Sequence, residues 1–144
     1  MTALGSRLRT RDGDRGQALV EFSLAILVFI AMVVGIFDLG RGIYTYNGLS
    51  EAAREIARAT SVHPGSPLGT HVRTTDTVAV QQGLVPGMAA PVFACVDYQG
   101  AAVAGTCSSG DFVQVTVSAT YSPISFLGLG GPIALTSSSS MQLP

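Results

Sequence analysis

Residues 17–37 read QALVEFSLAILVFIAMVVGIF, 21 residues that carry one charge, Glu21. At 1.5 Å rise per residue, a helix of that length is about 31 Å long, close to the roughly 30 Å hydrocarbon core of a bilayer. The stretch therefore predicts one membrane-spanning helix. Before it, residues 1–16 hold Arg7, Arg9, Arg11 and Arg15 against Asp12 and Asp14, together with Gly5, Gly13 and Gly16. They read as a short, disordered basic leader. Only Asp38 and Arg41 follow the apolar run closely, so the arginine bias predicts a cytoplasmic N-terminus, with residues 38–144 outside. A cleaved secretory signal is disfavoured. Its apolar run is shorter, and Asp38-Leu39-Gly40-Arg41 offers no small-x-small site.

Composition excludes other classes. The 144 residues are 47% apolar and 12% charged, about half the charge of an ordinary soluble domain, which argues against a cytosolic enzyme. Eight basic residues, all arginine, nearly balance nine acids, so no positive field exists to hold nucleic acid. The length allows a single domain.

Beyond the span the helical pattern continues through 38–63. Leu39, Ile43, Tyr46, Leu49, Ala53 and Ile56 recur at spacings of three and four and form the expected buried face. Glu51 with Arg54, and Glu55 with Arg58, are opposite charges three apart that support an exposed face. His63-Pro64-Gly65 supplies the stop, giving one helix from near Gln17 to near Val62. Gly35, Gly40, Gly42 and Gly48 either soften its middle or permit close packing.

Residues 64–144 are rich in Ser, Thr, Val and Gly. Residues 72–83 (VRTTDTVAVQQG) fit either a strand or a short helix. In 111–121, Val113, Val115, Val117, Ala119 and Tyr121 alternate with polar residues, the period of a half-buried strand. Residues 91–98 and 133–143 supply partners, the latter with Ile133, Leu135, Met141 and Leu143 in phase. The expected fold is α+β, with a small antiparallel sheet over about 91–144. The outer half of the long helix covers its apolar face, since a domain of this size is marginal alone.

Glu21 is the informative residue, because a carboxylate inside a membrane span costs several kcal/mol unless it stays wet or finds a partner. The run DRGQALVEFSLAILVFIAMV, in which Gly16 precedes a helix whose fifth residue is Glu21, resembles the leader and hydrophobic segment of type IV pilin-like proteins. The wider stretch from Arg15 to Val62, with its GQALVEF start and AAREIARA helix, is similar to the TadE-like family of minor pilins or pseudopilins of Flp (Tad) pili. The C-terminal VTVSATYSPISFLGLGGPIALTSSSSMQLP also resembles that family.

The resemblance implies a pilin-like fold and cleavage by a prepilin peptidase between Gly16 and Gln17. The implied partners are that peptidase, the lipid bilayer, other pilin or pseudopilin subunits and the Tad assembly platform. The implied location is the cytoplasmic (inner) membrane or a surface pilus. Gln17 departs from the large apolar residue with which mature pilins generally begin. Cleavage would free an amino group at Gln17 that a neighbour's Glu21 could pair with in an apolar filament core, setting register.

The competing reading is an uncleaved, single-pass membrane-anchored binding domain outside the cytoplasm. Catalysis is not expected: no G-x-S-x-G, H-E-x-x-H or useful Cys/His spacing occurs, and no cofactor, metal or small-molecule substrate is implied. His63 and His71 read as solvated loop residues. Cys95 and Cys107 can pair outside the cytoplasm, with free buried thiols as the alternative. The apolar loop 124–129 reads either as an interface patch or as a segment folded back on the sheet.

Overall fold

α1 (Arg7–Val62) is one uninterrupted helix in the computed structural model, which describes residues 7–103, 106–124 and 131–144, with side chains from Gly16 onward. It begins at Arg7 rather than near Gln17, so residues 7–16, expected as disordered leader, are helical backbone. Once the apolar segment has nucleated a helix, extension adds one hydrogen bond per residue, and arginine propagates it well. The helix ends as expected. The amide of His63 donates to Ala59 O at 3.0 Å, and Pro64 carbonyl oxygen then accepts from the amide of Gly69 at 2.7 Å.

α2 (Val72–Leu84) settles the ambiguous segment as helix. His71 caps it, its Nδ1 accepting from the Arg73 amide at 3.2 Å. Thr75 and Thr77 donate their hydroxyls to Val72 and Arg73 carbonyls one turn back, which satisfies side chains that otherwise favour strand. Thr74 is buried and donates its hydroxyl to His63 O at 3.1 Å, tying α2 to the end of α1.

β1 (Val92–Val96), β2 (Phe112–Tyr121) and β3 (Ile133–Gln142) form an antiparallel sheet in that order. Val92 pairs with Thr116 and Val96 with Phe112, while Phe112 pairs with Gln142 and Tyr121 with Ile133. The period-two reading of β2 holds, with Val113, Val115, Val117 and Ala119 buried. β3 keeps the expected phase, but Ile133 and Met141 are exposed near its ends. Leu135, Ser137 and Ser139 are half-buried on that phase, and Ser137 Oγ lies 3.2 Å from Ser50 Oγ on α1.

The chain divides into two compact units at Leu39/Gly40. The second unit, Gly40–Pro144, holds the core: Leu49, Ala52, Ala53, Ile56 and Ala57 cluster with the β2 valines, and Val85 and Met88 complete it. The expected helix face is therefore half correct. Leu49, Ala53 and Ile56 are buried, but Leu39, Ile43 and Tyr46 are exposed. Those six residues repeat more tightly than a helical turn, so their line drifts around α1. The covered line instead passes through Gly42, Leu49 and Ile56, seven apart.

Gly42 faces the Tyr121 ring, where an added Cβ would sit at 3.6 Å, and at Gly48 it would lie 3.2 Å from Val85 Cγ2. These two glycines are packing residues. Gly35 and Gly40 meet nothing within 4 Å among the described residues of the chain itself.

Cys95 and Cys107 are joined by a disulfide with Cα atoms 5.6 Å apart, fastening the end of β1 to the connection that leads into β2. Within that connection the Asp97 carboxylate accepts from the amides of Gln99 (2.8 Å) and Ala101 (2.9 Å). The bridge closes a sequence separation of 12. Opening it with a Cys95→Ser/Cys107→Ser pair should lower stability by about 3 kcal/mol in the chain-entropy account, measured by urea unfolding followed in the sheet-bearing part of the chain. Maleimide labelling of both thiols in unfolded, unreduced protein would show that no bridge forms.

Candidate functional site

The first half of α1 is helical because Leu, Ala, Ile, Met and Glu propagate a helix well and no proline interrupts it. Ser23, the polar residue after Glu21, donates its hydroxyl to Leu19 O at 2.7 Å. Every residue from Gly16 to Met32 is exposed. The helix carries an 18-residue window of mean hydropathy 2.7, none of it buried. Phe22, Leu24, Val28, Phe29 and Met32 are all exposed. Burying a side chain of this size is worth about 1.5–3 kcal/mol, so a fully outward apolar helix requires an apolar surrounding. The segment fits a single-pass membrane anchor.

Glu21 is the one ionisable group between Gly16 and Phe37. Gln17 lies one turn before it on the same face, and Gly16, Gln17, Val20, Glu21 and Leu24 line a shallow, open concavity. At Gly16 an added Cβ would meet nothing within 4 Å. The three residues expected to carry processing and assembly thus lie within about one and a half turns and are exposed. The Gly16–Gln17 bond itself lies inside α1. A protease reaches a peptide bond in extended chain, so cutting here requires the turn to unwind. Gly13 and Gly16, each costing up to about 1 kcal/mol against alanine, make that turn easier to open.

The remaining candidates are structural. His63 and His71 are exposed, as expected, but they are more than loop residues: their rings stack with centroids 4.7 Å apart and planes 14° apart, and His71 is also the cap of α2. The Arg41 guanidinium carbon lies 5.9 Å from the centre of the Tyr121 ring. Only the fold brings those two side chains together, and sequence spacing gives no sign of it. Of the 124–129 loop, residues 125–129 lie outside the described residues, and Ile124 is exposed.

Residues 16–58 match the model of the family described as TadE-like protein. The match begins at the candidate cleavage glycine and ends within the core-forming turns of α1, and it does not extend over the sheet. No curated protein and no solved structure gives a significant match.

Proposed function

We propose that this chain, a TadE-like protein over residues 16–58, is a minor pilin or pseudopilin that takes part in assembling a Tad/Flp-type surface pilus. One observation carries the reading: an apolar helix that is unburied among the described residues bears a lone carboxylate one turn beyond a glycine–polar boundary. Before assembly the span sits in the cytoplasmic membrane, N-terminus inside, and the Gly40–Pro144 unit lies outside. A prepilin peptidase cuts Gly16–Gln17. The released ammonium at Gln17 and the Glu21 carboxylate of a neighbour then compensate each other in the apolar packing of adjacent spans, where an uncompensated charge of either sign is costly. Pairing at one depth aligns neighbouring subunits axially. The function is structural, with no catalytic step, cofactor or metal.

Mass spectrometry of the mature N-terminus from cells with an active Tad system tests the reading. The expected product begins at Gln17, and Gly16→Leu, which fills the open position with a bulky side chain, should leave full-length protein. Recovery of uncut native protein would instead identify an uncleaved, membrane-anchored binding domain.

A further inference from the structure

From the exposed apolar side chains that α1 keeps beyond its span, we infer that the base of the outer unit is immersed in the outer headgroup layer of the bilayer, through Ile43, Tyr44 and Leu84. The inference rests on the membrane-anchored reading of the span. Among the described residues, the helix between Gly40 and Leu49 is covered by Tyr121 at Gly42 and Val85 at Gly48. Ile43 and Tyr44 are 61% and 71% exposed, and Leu84 at the end of α2 is 63% exposed.

Tyr44, Gly48, Leu84, Val85 and Pro86 wall an open groove of the Gly40–Pro144 unit. Along α1 the groove is lined by Tyr44 and Thr45, then Asn47, and ends at Glu51, about 10 Å along the helix from Tyr44. That order matches the rise in polarity from acyl carbonyls to headgroups. Tyrosine, with an apolar ring and a wet hydroxyl, favours that depth. The occupant follows from covalent continuity. Ile43 and Tyr44 lie within about two turns of Phe37, the last residue of the apolar run, so lipid is the nearest apolar phase available to them.

The chain contains no tryptophan, so single Trp variants report depth. Full-length Tyr44→Trp, Leu84→Trp, Leu27→Trp and Tyr98→Trp would be reconstituted in phosphatidylcholine/phosphatidylglycerol vesicles with lipids brominated either near the carbonyl end or near the methyl end of the acyl chain. Tyr44→Trp and Leu84→Trp should emit to the blue and be quenched most by the shallow bromines. Tyr98→Trp, at an 81% exposed position on the β1–β2 connection, should stay red-shifted and unquenched. Leu27→Trp, in the span, should be quenched most by the deep bromines. If Leu27→Trp behaves so while Tyr44→Trp and Leu84→Trp match Tyr98→Trp, the inference fails and the anchor stands. Blue-shifted Tyr44→Trp and Leu84→Trp emission that no brominated lipid quenches would assign the surface to a neighbouring subunit and also overturn it. An unquenched Leu27→Trp would remove the membrane reading and the inference with it.

Discussion

Glu21→Gln and Glu21→Ala should insert in the membrane at or above wild-type level, leave the outer unit as stable as before, and enter sheared filaments at least roughly tenfold less than wild type. The first two outcomes follow from position. Glu21 lies on the fully exposed part of α1, outside the unit that holds the core, and a charge in a span opposes insertion. The third follows from the partner left behind. On the proposed assembly, removing the carboxylate would leave the ammonium of a neighbour's mature terminus buried unpaired, a loss of about 3–5 kcal/mol, and each 1.4 kcal/mol is a factor of ten. Comparing membrane and sheared surface fractions for each variant, normalised to the major subunit, measures the effect. Wild-type incorporation would reduce Glu21 to an interfacial carboxylate and remove the proposed role. Restoration of assembly by Glu21→Asp, with a shorter but charged side chain, would mark the charge itself as the requirement.

Ile56→Asp should unfold the outer unit without releasing the chain from the membrane. Ile56 is fully buried and clusters with Val113, Val115 and Val117. A carboxylate there finds no cation, and the cost of an isolated buried charge exceeds the 4–5 kcal/mol that marks exceptional mutations. A domain of this size has little more than that in total stability. Ile56→Val, which removes one methyl group, should cost only about 0.5–1.5 kcal/mol. Arg58, two residues on, makes the contrast. It is exposed and donates from Nε to Glu55 Oε2 at 3.1 Å. That hydrogen bond holds the Glu55 carboxyl below its ordinary range against the opposing effect of burial, with the charge of Arg58 adding a lesser part. Its contribution is present above the ordinary Glu pKa and fades as the pH falls through the lowered value. Solvent screens the pair, so Arg58→Ala should leave the melting curve nearly in place. Thermal unfolding of the three variants, followed by circular dichroism in detergent, orders the effects. An Ile56→Asp melting temperature equal to wild type would show that this face of α1 is not the core.

The anchor, the helix stop and the sheet were legible in the chain because each depends on neighbours in sequence. Twenty-one nearly uncharged residues from Gln17 to Phe37 can only be satisfied by an apolar surrounding, whatever the rest of the molecule does. His63-Pro64-Gly65 ends α1 through local backbone sterics. Val113, Val115, Val117 and Ala119 display the two-residue period of a half-buried strand within one short run. The placing of Gln17 and Glu21 one turn apart on the same face, with Gly16 beside Gln17, follows from helical spacing alone.

Tertiary structure decided what spacing leaves open. Helical periodicity marks Leu39, Ile43 and Tyr46 as apolar but cannot say where the sheet stops covering the helix. Tyr121 and Val85 take that side of α1 at Gly42 and Gly48, and Leu39, Ile43 and Tyr46 are left outside. Among four glycines of equal propensity, two became contacts and two remained open because only long-range packing distinguishes them. Residues 72–84 carry threonine and valine, which favour a strand in isolation. They form α2 because the His71 cap, the Thr74 hydrogen bond to His63 and core contact through Val78 together outweigh that preference.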